Sequence, residues 1–299
     1  MSVKMNKSIE LPNKIKYFII AMRPKQWIKN GFVFAGLVFS RSFLQVNQLV
    51  KAVYAFAIFS IISGVVYIIN DIIDRDKDIL HPLKAKRPIA SGKLKPIEAI
   101  IPGLILLCIC LLLSYNMDFL FFIIILSYFL LILLYSLFLK HIVILDVVII
   151  SMGFVLRTLG GTVVIRVEIS PWLIMCTTFL ALFLALSKRK NELLLLSDNA
   201  ALHRKNLGEY TTDLIDQMLP VITSATIMSY SLYTFTSGKS HYMMFTIPFV
   251  IYGVFRYQYV VSPGNEDANP ENVLLGDIPS LVNILLWGII SMIIVYFFY

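Results

Sequence analysis

Apolar residues run along this chain in long blocks, separated by polar segments. A helix needs about 20 apolar residues to cross a bilayer core. Nine blocks meet or approach that length, roughly Ile28–Leu44, Leu49–Asn70, Ile97–Tyr115, Phe119–Leu139, Ile142–Ile165, Pro171–Ser187, Leu214–Phe235, Tyr242–Tyr259 and Ser280–Phe298. Each is predicted to be a membrane-spanning helix. A shorter patch, Tyr17–Met22, sits before Pro24 among Lys14, Lys16 and Arg23, the pattern of a helix lying in the membrane surface. The expected organisation is therefore a single polytopic domain, residues 1–299. Residues 1–26 form a cytoplasmic N-terminal segment with the interfacial helix, and residues 27–299 form an all-α bundle of nine transmembrane helices.

Composition agrees with this pattern. Hydrophobic residues make up 58% of the chain and charged residues 15%, with a mean hydropathy of +0.80. Soluble domains carry nearer ~25% charge. The net charge of +8 would suggest nucleic acid in a soluble protein, but no nucleic-acid motif accompanies it. The basic residues lie between spans, so anionic headgroups and phosphorylated substrates are the expected partners. With the N-terminus placed in the cytoplasm, 21 of the 26 Lys and Arg fall in cytoplasmic loops, four fall outside and Arg157 lies within a span. That bias orients the chain with its N-terminus inside and, after nine spans, its C-terminus outside. The external loops are short, as in "SYNMD", "RVEIS" and "TSGKSH". The long polar loops, Asp71–Pro96, Lys188–Asp213 and Val261–Pro279, share the cytoplasmic side, where function is expected. Cys108, Cys110 and Cys176 all sit in apolar segments, which points to packing rather than disulfides or zinc. The first apolar run lacks a small-residue cleavage site, so no removable signal peptide is expected.

The densest chemistry follows the second span, in "NDIIDRDKD" (Asn70–Asp78). If the helix continues through Asp78, Asn70 and Asp74 are i, i+4, while Asp71, Asp74 and Asp78 are i, i+3, i+7. All four would project from one side in consecutive turns, and Asp76 would point elsewhere. Three carboxylates and an amide oxygen at a cavity mouth are hard ligands suited to Mg²⁺ together with substrate phosphates. The plainer reading is a solvated helix end before Pro82. A basic cluster follows: Lys84, Lys86 and Arg87. Positive-inside bias accounts for such a cluster, and so does a magnesium-diphosphate ligand.

The N-D-x-x-D-x-x-x-D spacing resembles the first aspartate motif of the UbiA superfamily of membrane prenyltransferases. That resemblance implies nine transmembrane helices around a central cavity open to the cytoplasmic side, with Mg-diphosphate held by two Asp-rich motifs. The usual second motif, D-x-x-x-D after span six, is absent. The chain has "KRKNELLLLSD" there and, later, Asp213 and Asp216 as D-x-x-D. Other stretches resemble the decaprenyl-phosphate phosphoribosyltransferase branch: "RPKQWIKN" (Arg23–Asn30), "HPLKAKRPIASG" (His81–Gly92), "LKHIVILDVVIISMGFVLRTLGG" (Leu139–Gly161), "SKRKNELLLL" (Ser187–Leu196) and "RKNLGEYT" (Arg204–Thr211). This resemblance implies a donor, phosphoribosyl pyrophosphate (PRPP), a polyprenyl phosphate acceptor in the membrane, and a product feeding arabinosyl-donor synthesis for the cell envelope.

Roles follow with alternatives open. Asp71, Asp74 and Asp78 are the expected catalytic residues and, with Asn70, the Mg²⁺ ligands. Lys25 and Lys29, with Gln26 and Asn30, either hold substrate phosphate or anchor the chain at the interface beside Trp27. Lys86 and Arg87 are candidate phosphate contacts, Arg87 in the bidentate manner arginine favours. Lys188, Arg189 and Glu192, and Tyr210 from the next loop, are candidates by resemblance, and Tyr135 and Ser136 are candidate ribose contacts. Arg157 either serves the cavity or is neutralised by another helix; Asp146, about three turns away, is too far to pair with it directly. The histidines His81, His141, His203 and His241 are scattered, forming no metal set. Two other function classes remain open: transfer of a prenyl group from prenyl diphosphate to an aromatic or haem acceptor, and transport.

Overall fold

The computed structural model describes residues 7–80, 84–196, 209–236, 240–261, 272–273 and 276–298. Among these the chain is all-helical apart from its turns and connections, without strands. Six helices are long and apolar enough to cross a membrane: α3 (Val46–Ile73), α5 (Pro96–Met117), α6 (Phe119–Leu137), α7 (Leu145–Val164), the Pro171–Leu194 part of α8 (Pro171–Leu196) and α11 (Ile278–Phe298). The other three predicted spans are filled differently. The seventh is α9 (Thr212–Thr236), whose buried face carries Thr223, Thr226 and Ser229. The eighth is a 3₁₀ segment, His241–Thr246, leading into the short α10 (Ile247–Val260).

The first span is a correction. Ile28–Leu44 is not one α-helix but a 3₁₀ helix, Pro24–Phe34, followed by one turn of α-helix, α2 (Ala35–Val38), and a second 3₁₀ turn, Arg41–Leu44. A 3₁₀ helix rises ~2.0 Å per residue against ~1.5 Å in an α-helix, so eleven residues cover about 22 Å. Its three-residue turn aligns Asn30, Val33 and Gly36, all buried against the bundle. On α7, Gly161 accepts this backbone and its neighbour Gly160 accepts α3. A Cβ on Gly161 would stand 1.9 Å from the Val33 carbonyl oxygen, and one on Gly160 would meet the Phe59 ring at 2.7 Å. Small residues let helices approach in this way within membranes.

The N-terminal helix α1 (Lys7–Ala21) is longer than predicted. Its end packs through Ala21 and Met22 against Ile68, Ile89, Leu94 and Ala99, while Ile15, Ile19 and Ile20 are exposed. Lys14 reaches Glu98 of α5 at 2.9 Å. Asp118, the one residue between α5 and α6, accepts from the amides of Leu120 and Phe121 and turns the chain at once. The central pair is α3 and α7, with α5, α6, α8 and the 3₁₀ span packed around them. At one end of this bundle lie the C-termini of α3, α6 and α8 and the N-termini of α5, α7 and α9, and the chemistry gathers there.

Candidate active site

Asn70 and Asp71 occupy the last turn of α3, and Asp74 caps it with φ −88° and ψ 8°. A short helix, α4 (Arg75–Ile79), resumes at once. The amide of Asp78 still donates to the Asp74 carbonyl (2.9 Å), so the run is kinked rather than ended. The expected unbroken helix through Asp78 is therefore corrected at Asp74, a residue type that suits helix ends better than interiors. Asp76 is exposed and takes no part.

The kink sorts the oxygen groups into two pairs, each facing a cation. Asp71 and Asp78, seven residues apart, share Arg87: its Nη1 donates to Asp71 Oδ1 at 3.0 Å and to Asp78 Oδ2 at 2.5 Å. Asp71 also accepts from Arg23. Asn70 and Asp74, four apart, share Lys140, whose Nζ lies 3.4 Å from Asn70 Oδ1 and 2.8 Å from Asp74 Oδ2. Arg23 is well placed because it adopts a left-handed conformation (φ 53°, ψ 65°) between α1 and Pro24. Its guanidinium lies 4.7 Å from the Tyr67 ring, a cation–π contact.

A second cluster stands at the facing ends of α7 and α8. Asp146, fully buried, accepts from Arg189 Nε at 3.0 Å and from the Tyr210 hydroxyl at 2.7 Å. Arg189 also donates to Glu192, and Lys188 lies 3.9 Å from Glu192. Tyr135 is within electrostatic reach of Arg189. The Tyr210 hydroxyl accepts from the Ile144 amide at 2.8 Å. Ile144 has φ 66° and ψ −46°, and the Leu145 amide donates to the Val143 carbonyl at 2.7 Å. This is a γ-turn in its rare, strained form, held by a β-branched residue two positions before Asp146. Burial, then the bond to Asp146, pushes the Tyr210 phenol above its usual range, so it stays a donor. Lys84 links the clusters, within electrostatic reach of Asp78 and Asp74 on one side and Glu192 on the other. Burial first, then Arg87, lowers its pKa.

Deeper in the bundle Arg157 donates from Nε to Asn30 Oδ1 at 2.6 Å and from Nη2 to the Tyr128 hydroxyl at 2.7 Å. Asn30 in turn donates to Ser60 (3.0 Å) and Ser63 (3.4 Å) of α3. Arg157 does not pair with Asp146, in keeping with their spacing on α7.

The structure thus brings together Asn70, Asp71, Asp74, Asp78 and Arg87, and gathers Arg189, Glu192, Lys188, Tyr135 and Tyr210 nearby. Asn30 and Arg157 meet each other. Lys25 and Lys86 are exposed, and Lys29 donates to Gln26. Tyr210 is a buried brace rather than a surface contact. In the sequence pattern Lys140 figures only as a topology charge, Arg23 only as a flank of the interfacial helix and Lys84 only as a member of the basic cluster, while Asp146 and Tyr128 carry no role. A buried acid such as Asp146 signals a partner, because an isolated charge inside a membrane protein is costly. Within the 81–92 and 204–211 stretches, residues 81–83 and 204–208 lie outside the described residues, as does His203.

Among the described residues no three acidic, histidine or cysteine side chains converge on one point. The four expected ligands do not form a single cage. They form two pairs of hard oxygens, each already holding a cation at bonding distance. Magnesium takes one or two carboxylates and completes its shell with waters and substrate phosphates, so each pair fits it.

The sequence profile of the UbiA prenyltransferase family matches residues 31–278. Decaprenyl-phosphate phosphoribosyltransferase of Corynebacterium glutamicum is 32% identical, covering 96% of this chain and 89% of its own. The protein of the same name from Mycolicibacterium smegmatis is 30% identical, covering 92% and 91%. Among solved structures, a UbiA homolog from Archaeoglobus fulgidus bound to GPP and Mg²⁺ superposes with a TM-score of 0.72 over 94% of this chain and 99% of its own, at 17% identity. A digeranylgeranylglyceryl phosphate synthase superposes at 0.67 over 94% and 98%, at 18% identity.

Proposed function

The chain belongs to the UbiA prenyltransferase family, and from that premise we propose that it is a magnesium-dependent membrane transferase that moves the 5-phosphoribosyl group of PRPP onto a long-chain polyprenyl phosphate. The observation that carries this reading is the likeness, over nearly the whole chain, to relatives named decaprenyl-phosphate phosphoribosyltransferase. In this reading the basic loops, the site and the N-terminus face the cytoplasm, the C-terminus faces outward, the membrane is the plasma membrane, and the product feeds arabinosyl donors of the envelope. The molecule is one polytopic domain.

The residues suit the reaction. The bond from ribose C1 to the pyrophosphate oxygen breaks, and a bond from C1 to an oxygen of the lipid phosphate forms, with pyrophosphate leaving. A lipid phosphate is ionised near neutral pH, so no general base is required. The demand falls on the leaving group, whose charge Arg87, Arg23, Lys140 and Lys84 surround. Asn70–Asp74 and Asp71–Asp78 would hold magnesium, which supplies further neutralisation on the diphosphate oxygens when bound. Lys188, Arg189 and Glu192 stand where the second substrate phosphate enters, with Tyr135 and Ser136 toward the ribose. Lys25, Gln26, Lys29 and Lys86 form the outer rim.

The test is transfer of label. Membranes containing the protein, given labelled PRPP, a polyprenyl phosphate and Mg²⁺, are expected to yield lipid-soluble label. Absence of label, with prenyl transfer from prenyl diphosphate to an aromatic acceptor instead, would reverse the assignment.

A further inference from the structure

Arg157 is a charge within an apolar helix, 7% exposed. Its hydrogen-bond partners, Asn30 and Tyr128, are neutral, and its other neighbours are the ring faces of Tyr128 and Phe154, at 4.7 and 5.0 Å. Among the described residues no carboxylate pairs with it. Arg189, also buried, has two carboxylates, Asp146 and Glu192. The same bundle therefore neutralises one buried guanidinium and leaves the other without a counter-anion, a costly arrangement.

The guanidinium is also held in one pose, and its Nη1 makes no hydrogen bond among the described residues. Nε and Nη2 are pinned, while Nη1 lies against Gly153, 3.4 Å from where a Cβ would stand. A side chain at 153 would press on Ile132, 3.2 Å from the Cβ position, and on that nitrogen, and glycine keeps Nη1 clear of it.

The position is connected to the aspartates. Asn70, Tyr67, Ser63 and Ser60 follow one another on α3 at spacings of three, four and three, one face of the helix. That face runs about 15 Å from the aspartate end into the bundle. Arg23 joins its top, contacting both Asp71 and the Tyr67 ring, and Asn30 joins its bottom through Ser60 and Ser63. Side chains on a helix slant toward its N-terminus, so Arg157 reaches from α7 toward the aspartates. Hydroxyls and an amide along this line suit a sugar better than an isoprenoid chain.

We propose that Arg157 is the seat of a phosphomonoester dianion, bound through Nη1 at the far end of a polar line that begins at the aspartates. Resting on the phosphoribosyl reading above, the phosphomonoester is the 5-phosphate of the donor, whose pyrophosphate occupies the aspartate end; the same chemistry is also offered by the headgroup of the lipid acceptor.

The test uses purified full-length protein in detergent and two probes of the donor's halves, ribose 5-phosphate and pyrophosphate. Loss of one charge-assisted contact weakens binding about ten- to hundredfold. In Arg157→Gln, ribose 5-phosphate is expected to lose its stabilising thermal shift and to inhibit at correspondingly higher concentration, with pyrophosphate unaffected. Arg157→Lys should restore part of the shift. If Arg157→Gln does not fold, Gly153→Val fills the space beside Nη1, leaves the charge in place, and should show the same selective loss. A selective rise in KM for polyprenyl phosphate, with ribose 5-phosphate binding intact, keeps the phosphomonoester seat and assigns it to the lipid. Unchanged binding of both phosphomonoesters, or equal loss of pyrophosphate, overturns the site. A phosphate-dependent shift that needs Arg157, without phosphoribosyl transfer, sustains the site and fails the functional reading. Transfer with normal ribose 5-phosphate sensitivity and an unchanged KM for polyprenyl phosphate in the variants fails the site alone.

Discussion

Replacing Arg87 by Met should make the fold depend on magnesium. Arg87 places one nitrogen 3.0 Å from Asp71 and 2.5 Å from Asp78. Two oxygens on one nitrogen lie no more than about 5–6 Å apart, and at an effective dielectric constant near 20 two unit charges at that distance repel by ~3 kcal/mol. Asp71 and Asp78 are only 2% and 3% exposed, so water does little to screen them. Asp71 keeps Arg23; Asp78 keeps no ion pair among the described residues. Breaking a buried pair from one side costs about 3–5 kcal/mol, and the partial exposure of Arg87 places the expected loss near the lower figure. For chains of this order that is a fall in Tm of roughly 5–10 °C. A cation that binds only the folded state restores stability by mass action. Detergent-purified wild type and Arg87→Met should therefore be melted with chelator and with millimolar Mg²⁺. Magnesium is expected to raise Tm more in the variant, while donor KM stays elevated because the phosphate contact is gone. Equal Mg²⁺ shifts in the two proteins, or no loss with chelator, would refute the pairing of these carboxylates around one cation position.

Three further outcomes are expected. Tyr210→Phe removes the donor to Asp146 and the acceptor of the Ile144 amide, so stability should fall by about 2–4 kcal/mol, and kcat should fall with it while the Arg189→Lys substitution, tested in a double-mutant cycle, is strongly non-additive; additive effects would separate the two residues. Lys84 loses its proton below the ordinary lysine range, and in that window the unfolded chain holds more protons, so stability rises with pH while donor affinity falls; both trends should vanish in Lys84→Met, and parallel pH profiles for the two proteins would remove the role. Gly161→Ala sets a Cβ on the Val33 carbonyl and should cost at least ~3 kcal/mol, read as loss of monodisperse protein on size exclusion; wild-type behaviour would mean the 3₁₀ span does not sit on α7.

The bundle was legible because membrane helices are written in long apolar blocks, and the acid site because Asn70, Asp71, Asp74 and Asp78 break such a block abruptly. Arg87, Arg189 and Glu192 were legible as charges with motif-like spacing. The rest depends on geometry that a linear pattern does not carry. The kink at Asp74 divides four ligands into two pairs, and nothing in "NDIIDRDKD" selects which carboxylate turns toward Lys140. Arg23 and Lys140 look like any topology charge until a left-handed turn and a helix end bring them to the aspartates. Tyr210 is remote in sequence from the γ-turn it braces. The 3₁₀ span escaped because hydropathy counts apolar residues and says nothing of rise per residue; what forces it is the glycine surface of α7.

That 3₁₀ span also fixes a phase. Its three-residue period sets Asn30 in line with Trp27 before it and Val33 after it, with Asn30 reaching both α3 and Arg157. One inserted residue would rotate everything beyond it by about 120°, carrying Asn30 from the bundle to the lipid. The Pro24–Asn30 interval thus works as a gauge block between the surface helix and the buried guanidinium, and it leaves room for very few changes of length.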